Sequence, residues 1–125
     1  MADDQTARPP QIAPCPPSPN CVSTEAEDEA HRMPPIPFTG SPEEAVARLV
    51  EVVEGMSGGE VVERRGRHVR AEFTTSLLRF VDDVDLVVDA DASVIRFRSA
   101  SRAGYWDLGK NRRRMEELRR RFTEL

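Results

Sequence analysis

The sequence contains few of the residues from which small proteins build metal and cofactor sites. Among its 125 residues there are two cysteines, two histidines, one tryptophan and one tyrosine. Two cysteines exclude a four-cysteine zinc site and a framework of several disulfides. The scarcity of aromatic residues and a pI of about 5.3 argue against a nucleic-acid surface, which combines stacking aromatics with a basic groove. We therefore expect no cofactor, no bound metal and no nucleic-acid partner.

Long apolar runs are also absent. No stretch reaches the roughly 20 consecutive apolar residues that a membrane-spanning helix needs. The first residues, MADDQTARPPQ, lack the basic and apolar regions of a secretory signal peptide. The sequence therefore predicts a cytoplasmic protein without a membrane span.

Charge is distributed unevenly along the chain. The net charge is −4, with three arginines against ten acidic residues over residues 1–59 and fifteen basic against twelve acidic residues over residues 60–125. The positive excess is concentrated between Arg96 and Arg121. A basic stretch of this kind is typical either of a solvated amphipathic helix or of a surface for anions.

Nine of the ten prolines lie within residues 1–40. Because proline lacks an amide hydrogen and fixes its φ angle, this segment cannot form a regular helix or a central strand. We predict an extended or partly disordered arm over residues 1–40, followed by a single α+β domain over residues 41–125. The arm's candidate docking residues are Ile12, Cys15, Cys21, Val22, Met33, Ile36 and Phe38.

Helical and strand patterns fill the remaining chain. A capping box at Ser41 and Glu44 starts a helix over residues 41–56. Alternating apolar residues predict one hairpin around Arg65-Gly66 and a second over residues 84–99, whose turn at 90–93 pairs residue 89 with residue 94. This register places Leu86 opposite Phe97 on a buried face and Asp85 opposite Arg98 on an open face.

A last helix is predicted from about residue 108 to the C-terminus, with Asp107 as its N-cap. Its apolar stripe comprises Leu108, Met115, Leu118, Phe122 and Leu125. The resulting element order is helix, four strands, helix. This order favours a two-layer α+β sandwich, in which both helices cover the apolar face of a four-stranded antiparallel sheet.

Three stretches resemble a known family: CPPSPNCVS at 15–23, FVDDVDLVVD at 80–89 and RSASRAGYWDLGKNRRRMEELR at 98–119. They are similar to domain-of-unknown-function family 1499, a set of small proteins mostly from bacteria and photosynthetic organisms. The resemblance extends from about Pro14 to the C-terminus and implies no established reaction, cofactor or catalytic residue. It implies that relatives are exported or membrane-anchored. The family's polar motif positions in this chain are Cys15, Ser18, Asn20, Cys21, Ser23, Asp82, Asp83, Arg98, Ser99, Ser101, Arg102, Asp107, Asn111 and Arg112.

Cys15 and Cys21 are a candidate structural or redox pair with three interpretations. They form a disulfide in an oxidising compartment, remain reduced thiols in the cytosol, or take part in metal or redox chemistry with His31 and His68. A nucleophilic cysteine needs an adjacent base, and no sequence feature supplies one.

Asp82 and Asp83 are adjacent on a predicted strand and therefore point to opposite faces. This argues against a paired-carboxylate acid–base site. We expect instead that they belong to a network, in which one caps the turn after Phe80 and the other pairs with an arginine.

The segment 98–112 is rich in hydrogen-bond donors near the start of a helix, a combination that suits an anion. Its candidate ligand-binding residues are Arg98, Ser99, Ser101, Arg102, Tyr105, Asp107, Asn111 and Arg112. The alternative is internal, with Arg102 paired to Asp82, Asp83 or Asp107 and the serines bonded to loop backbone.

Three functions follow from these patterns. The first is a non-enzymatic module that binds a small anion or a protein segment at the 98–112 loop. The second is a small hydrolase or thiol-dependent enzyme that uses Cys15 and Cys21 or Asp82 and Asp83. The third is a homodimer that associates through the charged face of the sheet. No catalytic residue is assigned, and a monomer and a homodimer are both compatible with the sequence.

Overall fold

The N-terminal helix begins at Ser41, whose side chain caps it as the sequence predicts. In the computed structural model, which describes residues 11–104 and 106–124, Ser41 Oγ accepts a hydrogen bond from Glu44 N at 3.0 Å. Glu44 Oε1 accepts one from Ser41 N at 3.1 Å. The pair satisfies two otherwise unpaired amides at the start of helix α1, which spans Pro42–Gly55. The helix buries Ala45, Val46, Leu49, Val52 and Val53.

The described residues form six strands and a second helix besides α1. Their bounds are β1 Cys21–Ser23, β2 Ile36–Pro37, β3 Gly59–Arg65, β4 His68–Thr74, β5 Val81–Asp89, β6 Val94–Ser101 and α2 Lys110–Glu124. The sheet order is β1-β6-β5-β4-β3, with β2 also on β6, and every pairing is antiparallel. Both helices bury apolar residues against the inward face of this sheet, so the predicted α+β class is confirmed. Among the described residues, no helix combines the length and the apolar character needed to cross a membrane.

The prediction of a four-stranded sheet is wrong because the proline-rich arm contributes two short strands. β1 pairs with residues 98–100 of β6, and β2 pairs with residues 94–95. Proline is tolerated here because β2 is an edge strand whose outer amide needs no ladder partner. Of the predicted docking residues, Cys21, Val22, Met33, Ile36 and Phe38 are buried, whereas Ile12 and Cys15 are half-buried. The division of the chain at residue 40 stays a prediction.

The register of the second hairpin is confirmed. Asp89 pairs with Val94, Leu86 with Phe97 and Asp85 with Arg98. The first hairpin differs by one residue, because its turn is at Gly66-Arg67 and β4 begins at His68. Gly66 adopts φ +57°, the left-handed conformation that a tight turn requires.

The second helix begins two residues later than predicted, and this changes the environment of Leu108. Leu108 and Gly109 adopt φ +57° and +78°, so the chain makes a left-handed turn before the helix starts. Leu108 is consequently exposed instead of part of the apolar stripe, and that prediction is wrong. Asp107 lies three residues before the helix and is therefore not its N-cap residue, but its oxygens still accept from Gly109 N at 2.8 Å and from Asn111 N in the first turn at 3.2 Å. Met115, Leu118 and Phe122 are buried as predicted, and Leu125 lies outside the described residues.

Candidate functional site

A buried polar cluster lies beneath the first turns of α2, where β5 begins and β6 ends. Asp82, Ser99 and Asn111 have no solvent exposure at all. Asp82 faces inward because it alternates with Asp83 along β5, and its partner across the ladder is Ser101. We call the residues bonded around Asp82 and Asn111 the buried network. Buried polar groups mostly have hydrogen-bond partners, so these contacts define the architecture of this region. Asp82 Oδ1 is an exception within the buried network, with no hydrogen-bond partner among the described residues.

Asn111 connects three parts of the chain within the buried network. Its Oδ1 accepts a hydrogen bond from Ser99 Oγ at 2.6 Å. Its Nδ2 donates to Ser101 Oγ at 3.0 Å, to Asp107 Oδ2 at 2.8 Å and to the Asn20 carbonyl at 3.2 Å. One side chain therefore joins β6, the loop before α2 and the N-terminal arm.

Two cations of α2 neutralise Asp82. Arg114 Nη2 lies 2.6 Å from Asp82 Oδ2, and Lys110 Nζ lies 3.1 Å from the same oxygen. Arg114 also donates to Asn111 Oδ1 at 2.9 Å, and its guanidinium lies 4.8 Å from the centre of the Phe73 ring. Lys110 and Arg114 are four residues apart, so both point from one face of the helix to the same carboxylate. Lys110 and Arg114 were not predicted as partners of Asp82, because charged residues on a helix are ordinarily expected to face solvent.

The buried network continues into the arm through Asn20. Asn20 Nδ2 donates to the Gly104 carbonyl at 2.6 Å, and its Oδ1 accepts from Ser18 Oγ at 2.7 Å. Both residues lie inside the ring closed by the Cys15–Cys21 disulfide. Of the three interpretations of the cysteines, the structure has the disulfide. A ring of this size is expected to stabilise the fold by about 2 kcal/mol, mainly by restricting the unfolded chain.

The remaining candidate residues of the 98–112 segment mostly bond within the chain. Arg102 lies on the outer face, where it donates to Asp83 Oδ2 at 2.9 Å and to Glu72 Oε2 at 2.7 Å. These hydrogen bonds raise the pKa of the Arg102 guanidinium above its ordinary value. Arg112 donates to the carbonyls of Ala30 and Arg32.

Two members of the candidate set are not part of these contacts. Arg98 Nε is buried and has no hydrogen-bond partner in the described part of the chain. Tyr105 lies outside the described residues. Anion binding by the segment stays a prediction, but most of its donors are already engaged by the fold.

Two loops at the same end of the sheet expose large apolar side chains. We call residues 75–80, 102–104 and 106–109 the loop end. The loops are neighbours because Thr74 pairs with Val81 in the ladder and Arg102 N donates to the Val81 carbonyl at 3.1 Å. The exposed fractions are 87% for Leu77, 64% for Leu78, 49% for Phe80, 73% for Trp106 and 85% for Leu108. Sequence analysis did not single out Leu77, Leu78 or Phe80, although the run LLRF lacks the alternation of a half-buried strand.

Local hydrogen bonds hold both loops in fixed conformations. Thr75 N donates to the Phe80 carbonyl at 2.9 Å, and Phe80 N donates to Thr75 Oγ1 at 2.9 Å. In the second loop, Arg113 Nη1 donates to the Leu108 carbonyl at 2.6 Å. Arg79 and Leu108 adopt φ +59° and +57°, a conformation unfavourable for residues with a side chain. The exposed position of Leu108 therefore depends on a backbone conformation that carries some conformational cost.

Comparison with known proteins gives one match. The model of a family described as "Protein of unknown function (DUF1499)" matches residues 11–122. The chain belongs to this family. The resemblance read from the three motifs is thereby confirmed. No curated protein and no solved structure matches the chain.

The motif residues of this DUF1499 protein converge in space although they lie far apart in sequence. Seven of them lie in the buried network: Ser18, Asn20, Asp82, Ser99, Ser101, Asp107 and Asn111. As expected, Asp82 and Asp83 face opposite sides of the sheet, but both pair with arginines, whereas one of them was expected to cap the turn after Phe80. Within the described chain, these residues therefore build a support for the loop before α2.

The two histidines of the DUF1499 protein are engaged elsewhere. His31 Nδ1 lies 2.6 Å from Asp28 Oδ2, and its Nε2 lies 2.8 Å from the Ser18 carbonyl. His68 Nε2 lies 3.0 Å from Asp85 Oδ1 on the outer face. Neither histidine thus has the contact with Cys15, Cys21, Asp82 or Asp83 that the enzyme hypothesis needs. Among the described residues, no three His, Cys, Asp or Glu side chains form a metal-binding group.

We expect His31 to make stability depend on pH between neutral and alkaline conditions. The pKa of His31 is raised mainly by its hydrogen bond to the Ser18 carbonyl and next by its contact with Asp28. The contribution of protonated His31 to the free energy of unfolding is therefore complete below the unfolded pKa of about 6.5. It is lost as pH rises through the higher folded value. The same contact lowers the pKa of Asp28, whose contribution is lost only as pH falls through a value below 3.8. Urea unfolding of the wild type and of His31→Gln at several pH values measures the contribution of His31 to stability. The stability difference between them should shrink from pH 6 to pH 9, and a difference independent of pH contradicts the assignment.

Proposed function

We propose that this DUF1499 protein is a non-enzymatic binding module whose recognition surface is the loop end. The observation that carries the proposal is the exposure of Leu77 and Leu108, at 87% and 85%, at the same end of the sheet. Isolated exposed leucines are ordinary on protein surfaces, but clustered ones next to exposed aromatic residues are typical of interaction sites. Trp106 and Phe80 supply those aromatic residues.

The buried network supports this assignment because it immobilises the base of the second loop. Asp107 bonds both to Asn111 and to the backbone of Gly109, and Asn20 holds the Gly104 carbonyl. A surface that is ordered before binding loses less conformational entropy when it binds. The buried polar groups therefore have a role in presenting apolar residues that lie outside them.

The contacts of the polar residues favour binding over catalysis. The cysteines are joined in a disulfide, Asp82 is fully buried against two cations, and both histidines bond to other acceptors. A reacting group needs access to substrate and a partner within hydrogen-bond reach. The engagement of Arg102 and Arg112 within the chain likewise favours a partner surface over a small anion.

The outer face of the sheet is less suited to bind a partner. Its side chains form ion pairs within the chain, among them Arg70 with Glu63 and Arg102 with Asp83. Such pairs contribute little stability but leave few charges that need a partner. Association of two copies through this face stays a prediction.

Site-specific photo-crosslinking in cells that produce the protein tests the proposal. A benzophenone amino acid replaces Leu77 in one variant and Glu51, an exposed residue of α1, in a matched control. We expect an adduct from position 77 that is absent from position 51 and is lost when Leu108→Asp is added. Equal labelling from both positions, or none from position 77, contradicts the proposed function.

A further inference from the structure

We infer that the loop end docks on the surface of an anionic lipid bilayer. This inference rests on the proposed function and names its partner. Three features of the loop end carry it: the protruding leucines, the charges around them and the aromatic side chains beside them.

The leucines protrude too far for a flat protein surface. Leu77 and Leu108 keep 87% and 85% of their surface exposed, so little of either side chain packs against its own domain; we call these two side chains the apolar tips. A protein partner would need a surface complementary to both tips, because contacts between proteins stabilise a complex only where the two surfaces are complementary. The interfacial region of a bilayer is deformable and accepts apolar side chains that project from a rigid domain. Inserting both leucines removes their apolar surface from water without any rearrangement of the loops.

The charges around the apolar tips are of the sign that anionic lipids attract. Arg79 and Arg113 are exposed in the loop end and in the first turn of α2. Lys110 is already paired with Asp82, and Arg102 with Glu72 and Asp83, so Arg79 and Arg113 are the charges that we assign to lipid contact. Asp107 is the acidic residue of the loop end, and its oxygens accept hydrogen bonds from Gly109 and Asn111. Each basic residue close to an anionic surface strengthens binding, and long side chains keep their charge at headgroup level while the apolar tips insert.

The aromatic residues fit the same partner. Trp106 and Phe80 are 73% and 49% exposed within the loop end. Indole rings favour the boundary between headgroups and acyl chains, where an apolar body and a polar N–H are both accommodated. Trp106 is the single tryptophan of the chain, so its fluorescence reports on the loop end alone.

Vesicle titration of the full chain tests the inference. The probes are phosphatidylcholine vesicles with about one quarter phosphatidylglycerol and vesicles of pure phosphatidylcholine, the latter lacking the surface charge. We expect the Trp106 emission to shift to shorter wavelength with anionic vesicles and the protein to float with them. Binding should weaken with added salt and on pure phosphatidylcholine, because screening and charge removal both reduce the electrostatic attraction.

Variants separate the contribution of the leucines to vesicle binding from that of the basic residues. Leu77→Ala with Leu108→Ala is expected to weaken binding at least about ten-fold, because methylene groups no longer insert. Val62→Ala, an exposed apolar residue of β3, is the matched control and should bind as the wild type does. Arg79→Gln should weaken binding to anionic vesicles about five-fold, whereas Arg64→Gln on β3 should not. These positions are exposed, so the substitutions leave the fold intact.

Several results would overturn the inference. The first is no shift and no flotation with either vesicle. The second is unchanged binding by the double leucine variant. A blue shift that grows with protein concentration without vesicles indicates self-association instead. Position 77 crosslinking to a protein, with no vesicle binding, leaves the proposed function standing and refutes only the lipid partner.

Discussion

Asp82→Ala is expected to lower the free energy of unfolding by about 3–5 kcal/mol, the usual cost of removing one partner from a buried ion pair. Asp82 is fully buried, and the Arg114 side chain that it neutralises is only 9% exposed. Without the carboxylate, Arg114 keeps its contacts with Asn111 and Phe73 but carries an uncompensated charge in the core. Lys110 is less affected because it is 27% exposed and can turn toward water. Urea unfolding followed by circular dichroism measures the loss.

Asp83→Ala is the matched control for this experiment. Asp83 is the next residue along β5 but points to the outer face, where it pairs with Arg102 near solvent. Exposed ion pairs of this kind contribute less than about 1 kcal/mol, so this variant should be nearly as stable as the wild type. A further variant, Asp82→Leu with Arg114→Met, should recover much of the lost stability, because a buried ion pair is often replaceable by apolar side chains. Equal losses for Asp82→Ala and Asp83→Ala would mean that Asp82 is not paired in the core.

Asn111→Leu is expected to cost about 3 kcal/mol, because several buried polar groups lose their partner together. Leucine fills a similar volume, so the loss reports hydrogen bonding more than packing. The groups left without this partner are Ser99 Oγ, Ser101 Oγ, Asp107 Oδ2, Arg114 Nη1 and the Asn20 carbonyl. Glu116→Leu, at an exposed position of the same helix, is the control and should change stability by less than about 0.5 kcal/mol.

A second measurement distinguishes the role of Asn111 from general stability. Ser101 N donates to the Asn20 carbonyl, which also accepts from Asn111 Nδ2. Loss of Asn111 should therefore accelerate amide hydrogen exchange at Ser101 and in the loop before α2 more than in β4. Uniform acceleration across the sheet would show that Asn111 is an ordinary core residue and not the joint between arm, loop and helix.

The buried network and the loop end are linked through the turn that precedes α2. Asn111 and Asp107 fix the left-handed turn that keeps Leu108 outside the helix, and Leu108 is one of the two apolar tips. A loss of stability in the buried network should consequently weaken binding at the loop end, whereas a loss of binding need not lower stability. Substitutions in the buried network should weaken vesicle binding, whereas Leu77→Ala and Leu108→Ala should leave stability nearly unchanged.

Local sequence signals are sufficient to predict several elements of the fold. The capping box at Ser41, the turn at 90–93 and the pairing of Leu86 with Phe97 depend on residues close in the chain, and all are present in the structure. Helical and strand periodicity likewise determined the α+β class, since each period defines the face that must be buried. The three motifs determined the family.

Contacts between residues that are distant in the sequence are seen only in the tertiary structure. Cys21 pairs with Ala100, and Asn20 reaches Asn111, across some eighty or ninety positions that carry no local signal. Asn111, Arg114 and Lys110 occupy helix positions whose polarity predicts exposure. Asn111 is nevertheless fully buried and the Arg114 side chain is only 9% exposed, because they contact Ser99 and Asp82 on the sheet. Leu108 reads as core, yet a left-handed turn places it in solvent. Periodicity describes the spacing of apolar residues along the chain. Burial of a given side chain depends in addition on the residues that contact it in the packed structure.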